Sequence, residues 1–391
     1  MSPEAAPRSP DAGASAAASS LEATLDRFFR ETAPLARGEV LLVAFSGGPD
    51  STALLHGASR LGARRGFTVV AAHLDHGLDA DSPRRARRAS LLATSLGVDL
   101  VVERLPPDEI ASSRTAPRGL EDWARARRYD FLERCRRSAG ARWVATAHHR
   151  DDQIETVLLR LLLGSGLEGL GAIEPRRGPL VRPLLELDRE HVLAALSTTG
   201  LRPVTDPTND DERRPRNRLR RVLLPHLMER DPGLGDRLVR LAAIARRLTT
   251  SLDARLGREL ELDEGAGHAG LDLAGLLDLP SALRPFALSL LHRAAGRPYP
   301  ARAAARRELD RQLEGYRTAG GPAGGRRIGG DCGGGWRWRS RGGRLELCRS
   351  ATETAPFAYT LTAPGEVVIS ELGLRVSIER QPVAAWMFRG H

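Results

Sequence analysis

Short apolar, β-favouring runs alternate along the first half of the chain with stretches whose apolar positions recur at helical spacing. The runs are Val40–Phe45, Phe67–Leu74, Val98–Val102 and Trp143–Ala147. Between them Thr52–Leu61, Pro83–Leu96 and Leu120–Ser138 read as helices, and Leu21–Phe29 as a short amphipathic helix ahead of the first strand. After the fourth run, Ile154, Val157, Leu158, Leu161 and Leu162 repeat at i, i+3, i+4, i+7 and i+8, one buried helix face, which Gly164-Ser165-Gly166 ends. Strands alternating with helices at this spacing predict parallel βαβ units, an α/β fold. Ligands of such sheets bind beyond the carboxyl ends of the strands. Polar clusters lie at three of those ends: Ser46–Ser51, His73–Gly77 and His148–Asp152.

Further on, Asp188–Ser197 reads as a helix and Thr205–Asp211 as a polar turn. The arginine run Arg213–Arg221 is interleaved with Asn217 and Leu219 and leads into Val222-Leu223-Leu224, so it is expected to fold rather than trail as an arm. Pro232 to Gly315 is helical in pattern, Gly320–Gly335 is glycine-rich, and Trp336, Trp338, Leu345 and Leu347 alternate like a hairpin ahead of a β-like part from Tyr359 to Ile378. The expected organisation is a disordered tail (1–20), a parallel-sheet catalytic domain (21–230), a helical module (231–316), and a glycine-rich linker and hairpin with a small β-rich C-terminal module (317–391).

Charge adds a partner to this picture. The net charge is +10, which points to a polyanion, nucleic acid first. All 59 basic residues are arginines. Cys135, Cys332 and Cys348 make neither a disulfide framework nor metal-site spacing, which fits a reducing, cytoplasmic setting. The start of the chain lacks the apolar core of a signal peptide, and no run is long enough to span a membrane.

Ser46-Gly47-Gly48-Pro49-Asp50-Ser51, between strand and helix, has the chemistry of a phosphate site. Glycines allow close backbone approach, and a helix N-terminus presents free N–H groups to an anion. A Walker A loop is excluded, since it needs a lysine. Asp50 would repel a phosphate unless a cation sits between them, which suggests a magnesium-bridged nucleotide. His148, Asp152 and Glu155 stand at i, i+4 and i+7, although Asp152 with Glu155 also reads as a capping box. On the helix from Leu120, Arg125 and Arg128 share a face with Glu121, either as a solvated salt-bridge cluster or to counter phosphate charge. His73 and His76, at a strand end, are more readily hydrogen-bonded structure than catalysts, and Gly77 suggests close approach of backbone to a ligand. Arg216, Arg218, Arg220 and Arg221 suit contacts to a nucleic-acid backbone.

The hexapeptide resembles the SGGxDS loop of the PP-loop (N-type) ATP pyrophosphatases, whose fold is adenine-nucleotide α-hydrolase-like. Taken with HLDHGL (73–78), LEDWARARRY (120–129), AHHRDDQIET (147–156), GSGLEGL (164–170), RPLLELDRE (182–190) and DPTNDDERRPRNRLRRVLLP (206–225), the chain resembles the tRNA(Ile)-lysidine synthetases from about Val40 to Leu227. The resemblance implies ATP and Mg2+, a CAU-anticodon tRNA(Ile) and free L-lysine. The C2 oxygen of the wobble cytidine attacks the α-phosphate of ATP, pyrophosphate leaves, and the ε-amine of lysine then displaces AMP. It implies ATP binding by Ser46, Gly47, Gly48, Pro49, Asp50 and Ser51, with Mg2+ at Asp50. It also implies catalysis by Asp50, Arg128, His148, Asp152 and Glu155, lysine binding by Asp152 and Glu155, and tRNA binding by Arg125, Arg216, Arg218, Arg220 and Arg221. Longer members continue through a basic, aromatic segment, whereas this sequence stops at His391, which leaves its grip on the acceptor stem open. Homodimerisation is left open. A PP-loop tRNA thiolase would need site cysteines, and a glutamine-dependent synthetase a glutaminase domain. A non-catalytic tRNA-binding protein is the alternative from another class.

Overall fold

The apolar runs of the first half become a six-stranded sheet in the order β3-β2-β1-β4-β6-β5. The computed structural model describes residues 10–78, 81–112, 120–204, 215–265, 267–296, 303–318, 328–333, 335–349, 365–369 and 374–378. β1 (Val40–Ala44), β2 (Thr68–Asp75), β3 (Asp99–Arg104), β4 (Trp143–Ala145) and β6 (Leu180–Val181) pair in parallel, and the short edge strand β5 (Arg176–Arg177) is antiparallel to β6. Successive side chains of β1 point to opposite faces, and both faces are covered, so every position of the strand can be apolar. Leu41 and Val43 enter a core with Leu25 and Phe29 of α1 (Pro10–Glu31), Leu54 and Leu55 of α2 (Pro49–Arg65), Ala89 of α3 (Ser82–Ser95) and Val192 of a later helix. Leu42 enters the other core, against Phe131, Leu132 and Cys135 of α5 (Leu120–Ser138). A short helix, α4 (Pro107–Ser112), precedes α5.

α1 corrects one expectation. Residues 10–20, read as tail, are helical, and Ala17, Leu21, Leu25 and Phe29 are buried at four-residue intervals. The Ala-rich composition that resembled a disordered segment is also the composition with the highest helix propensity. Residues 1–9 lie outside the described residues.

The chain builds β1, β2 and β3 outward in one direction and then returns to place β4 on the other side of β1. The strand order therefore reverses between β1 and β4, and a crevice opens there at the carboxyl ends. α6 (Arg150–Leu162) follows β4, α7 (Leu167–Leu170) follows α6, and α8 (Arg189–Ser197) carries Val192 to the first core. The predicted polar turn, with Arg213 and Arg214, lies outside the described residues. The rest of the arginine run is folded, as α9 (Pro215–Arg218), a π-helical turn (Leu219–Leu223) and α10 (Leu224–Arg230). Leu219 and Leu224 pack with Ile154 and Val157 of α6 and with Leu238 and Ala242 of α11 (Leu234–Glu259), which holds the run against α6.

The chain divides into two units, Met1–Thr249 and Thr250–His391, so the boundary expected at residue 230 falls inside α11 instead. The second unit also differs from a helical module followed by a β-rich one. Within the stretch read as helical lie β7 (Asp263–Gly265) and β8 (His268–Asp272), ahead of α12 (Leu273–Asp278), α13 (Arg284–Ala294) and α14 (Ala303–Thr318). With β9 (Gly329–Asp331), β10 (Trp336–Arg341) and β11 (Arg344–Arg349) they make one antiparallel sheet in the order β7-β8-β11-β10-β9. The predicted hairpin is β10–β11, with Trp338 opposite Leu347, and its apolar face shares a core with Leu288, Leu291 and Leu313. β12 (Gly365–Ile369) and β13 (Leu374–Ile378) form a separate hairpin. No helix among the described residues is long and apolar enough to cross a membrane.

Candidate active site

The phosphate loop leaves β1 at Phe45 and enters α2 at Pro49. Gly47 has φ +79°, the left-handed conformation that favours glycine. A Cβ there would lie 3.1 Å from Val204 Cγ2 and 3.3 Å from Ala89 Cβ. Gly48 is the extended N-cap of α2 and Pro49 occupies its first turn. Hydroxyls brace the turn: Ser46 Oγ lies 3.0 Å from Ser51 Oγ, Ser51 donates to the Gly48 carbonyl at 3.0 Å, and Thr52 donates to the same carbonyl at 2.8 Å. From behind, Val204 N–H donates to the Gly47 carbonyl at 2.8 Å.

Across the switch point, β4 runs through Thr146 into His148 and His149, and α6 begins. His149 is the N-cap of α6, with Asp152 Oδ2 accepting from its backbone N–H at 3.1 Å. The capping acid is therefore Asp152 on His149, not Glu155 on Asp152. The His149 ring is 2 % exposed and stands among three carboxylates. Its Nε2 is 3.5 Å from Asp152 and 3.9 Å from Asp50, and its Nδ1 is 3.5 Å from Asp151. Burial would lower its pKa, but Asp151, Asp152 and Asp50 more than reverse this and raise it. His149 thus ties the phosphate loop to the α6 acids. Spacing alone favours His148 over His149, since adjacent histidines at a strand end do not declare which one turns inward.

His148 has the opposite character. Burial, with Arg182, Arg125 and Arg216 nearby, holds its imidazole well below the usual value against the pull of Asp152. Its Nδ1 is 2.8 Å from Thr146 Oγ1. Asp151, on the far side, accepts from the Arg189 backbone N–H at 2.7 Å, and the Arg189 side chain reaches 3.9 Å from Asp50.

The acid pair is already engaged. Asp152 Oδ1 accepts from Arg216 Nη2 at 3.0 Å and from Arg220 Nη2 at 3.3 Å. Glu155, 2 % exposed, accepts from Arg216 Nε and Arg220 Nη2, each at 3.1 Å, and also from Arg220 Nε. Two arginines four apart on one helix face meet two acids three apart on another. That complementarity is visible in the sequence, but a charge run is more readily read as solvent- or RNA-facing. Of the five arginines expected on tRNA, Arg216 and Arg220 point at these acids, whereas Arg125, Arg218 and Arg221 are exposed. The Glu121 side chain lies outside the described residues.

The cluster after β2 is mainly structural. His73 Nδ1 bonds the Phe45 carbonyl at 2.8 Å, and Asp75 accepts from Gly77 N–H at 2.9 Å and from Ser82. Gly77 (φ +63°) lies against Ile110 of α4, where a Cβ would come within 2.6 Å of Cδ1, so the close approach is to this chain rather than to a ligand. Arg128 reaches His76 Nε2 at 3.5 Å.

Burial, with Arg128 beside it, pushes His76 down to about 4, and burial also lowers His56, His73 and His148. Below about pH 6.5 an unfolded chain binds protons that these folded histidines refuse. Stability is therefore present above that pH and falls as pH drops towards 4, with the raised His149 opposing in part. Urea unfolding at pH 7 and pH 5 should show the loss, and H76Q should make it shallower. A slope unchanged by H76Q would remove His76 from the account.

Asp50 Oδ1 is buried and has no hydrogen-bond partner among the described residues. A carboxylate oxygen that takes no hydrogen bond beside a phosphate loop, with only the Arg189 guanidinium 3.9 Å away, fits a hard divalent cation.

Residues 17–227 match the family described as PP-loop domain. The tRNA(Ile)-lysidine synthase of Thermobifida fusca is 38% identical over 266 residues, 68% of this chain and 80% of that protein. That of Symbiobacterium thermophilum is 36% identical over 371 residues, 89% of this chain and 74% of that protein. That of Methylobacterium nodulans is 42% identical over 288 residues, 71% of this chain and 81% of that protein.

Proposed function

The chain belongs to the PP-loop family and, within it, to the tRNA(Ile)-lysidine synthases, and from that premise we propose how its residues divide the reaction. The protein forms lysidine on tRNA(Ile) and uses ATP. The observation that carries the division of labour is His149, which stands within 3.9 Å of the loop acid Asp50 and 3.5 Å of the α6 acid Asp152.

In the first half-reaction the Gly47–Gly48 backbone, the N-terminus of α2 and the hydroxyls of Ser46 and Ser51 hold the ATP phosphates. Asp50 would hold Mg2+, which would neutralise phosphate charge when bound. The C2 oxygen of the wobble cytidine in a CAU anticodon attacks the α-phosphate, the bond to pyrophosphate breaks, and Arg128 counters the charge that leaves. Arg189, and His149 with its pKa raised by these acids, lessen the repulsion of Asp50 and Asp152 across the crevice.

In the second half-reaction free lysine enters as an ammonium, and its ε-amine titrates near ~10.4. Asp152 and Glu155 receive it, and because both are occupied by Arg216 and Arg220, one guanidinium must withdraw as the ammonium arrives. The amine loses its proton, forms the C–N bond at C2, and the C2–O bond breaks as AMP departs. His148, kept neutral and a weak base by burial and the nearby arginines, is suited to hydrogen-bond the cytosine edge rather than to keep that proton, and Thr146 fixes its ring. Exposed Arg218 and Arg221 contact the tRNA backbone. A tRNA substrate and three free cysteines suit the cytoplasm.

The test is incorporation of labelled lysine into a CAU-anticodon tRNA(Ile) transcript with ATP and Mg2+. Labelling that needs all components supports the scheme, and pyrophosphate release without labelling overturns its second half. D152N should raise the lysine KM by about tenfold or more, the worth of a lost charge-assisted contact, with a smaller effect on the ATP KM. An unchanged lysine dependence removes Asp152 from the amine site.

A further inference from the structure

Beyond the acid pair lies a basic station that the scheme above does not use. Arg182 follows β6, the strand next to β4, and is only 6 % exposed. Its Nη1 donates to the Glu174 carbonyl at 2.6 Å, and its Nε is buried with no hydrogen-bond partner among the described residues. Its further contact is the Tyr129 hydroxyl, and the Arg125 guanidinium stacks on the Tyr129 ring at 5.0 Å from the centroid. Burial, helped by Arg125, depresses the Arg182 pKa against the opposing pull of Tyr129 and the Glu174 carboxylate, and His148 lies in the field of Arg182 and Arg125. A buried guanidinium held by a carbonyl and a phenol, with the Glu174 carboxylate acting on it only from a distance and no salt bridge to it among the described residues, is a partly compensated charge that an anion would stabilise.

The order of stations along the sheet edge says which anion. The phosphate loop follows β1, the His148 and α6 acids follow β4, and Arg182 follows β6, on the side away from the phosphate loop. Arg182 is too buried to meet a phosphate of folded RNA, and the ATP phosphates belong two strands away. Neighbouring strands are about 4.8 Å apart. The flexible four-carbon stem of lysine bridges such a gap. With its amine at the acids, turned towards the loop, the other end of the molecule falls beyond His148.

We propose that Arg182, with Arg125 stacked on Tyr129 beside it, binds the α-carboxylate of the lysine substrate and so selects an amino acid over a simple amine. This rests on the lysidine-forming reading. Bond formation at C2 involves only the amine, so without such a contact any primary amine of similar length would serve.

The experiment compares L-lysine with cadaverine, the same amine chain without the carboxylate, as nucleophiles for wild type, R182Q, R182K and R125Q. The ratio of the two kcat/KM values cancels any change common to both. Wild type should favour lysine by about 10- to 100-fold, the worth of a charge-assisted contact. R182Q should collapse the ratio towards one through the lysine KM, R125Q should lower it less, and R182K should retain part of it. Equal use of the two amines by wild type overturns the proposal. So does a parallel fall for both amines in R182Q and R125Q, which marks a structural role. If wild type labels tRNA with neither amine while still releasing pyrophosphate, the lysidine reading itself fails, an outcome distinct from the loss of preference.

Discussion

E155Q should lower lysidine formation by ~10²–10³-fold, as expected for loss of a charged group aimed at the reacting centre, and should also destabilise the first unit. Glu155 is 2 % exposed and takes three hydrogen bonds from Arg216 and Arg220. Removing one partner of a buried, hydrogen-bonded ion cluster leaves the others desolvated and unpaired, a cost of about 3–5 kcal/mol. The two arginines are about one-third exposed, which moves the expectation to about 2–4 kcal/mol. Urea unfolding and labelled-lysine incorporation read the two effects separately. Lost stability with normal turnover would make Glu155 a clamp for the arginine helix and no part of the amine site. The double variant E155Q/R220Q should recover stability, since it removes the orphaned cation, without recovering activity.

G47A should act at the other end of the crevice. Forcing alanine to φ +79° costs roughly 1–2 kcal/mol, and its methyl would press on Val204 and Ala89 at 3.1 and 3.3 Å. The loop relieves this only by moving, and a displacement near 1 Å costs about 10²-fold in rate where phosphates must be aligned. tRNA-dependent pyrophosphate release should fall by that factor even at saturating lysine. G48A is the control for backbone strain. At φ −70° its methyl meets only Ser46 Oγ at 3.3 Å, so stability should hold and any loss should lie in ATP affinity. Normal adenylation by G47A would mean that the nucleotide does not rely on this turn.

Much of the first unit is readable from periodicity because its elements are long and its strands are buried on both faces. α5 spans Leu120–Ser138, as its apolar face predicts, and the polar clusters after β1 and β4 meet because parallel strands deliver their ends to one edge. What escaped depends on direction rather than type. His148 and His149 are the same residue side by side, and only the extended backbone at the N-cap decides that His149 faces Asp50. Arg216 and Arg218 look alike in a basic run, yet a helical turn sends one to Asp152 and the other to solvent. In the second unit, β8 is short and contains Gly270, and neighbouring leucine-rich helices mask it until β11 supplies a partner.

The hydrogen bond from Val204 to the Gly47 carbonyl has a consequence for how the loop meets its ligand. It seats the turn from behind before any nucleotide arrives, so little freedom is left to lose on binding. The Val204 amide should exchange slowly with deuterated solvent in the free protein and scarcely more slowly with ATP bound. Calorimetry, which gives the binding entropy from the heat and the affinity together, should likewise show only a small entropic penalty from the loop, a keyhole already cut rather than a hand that closes.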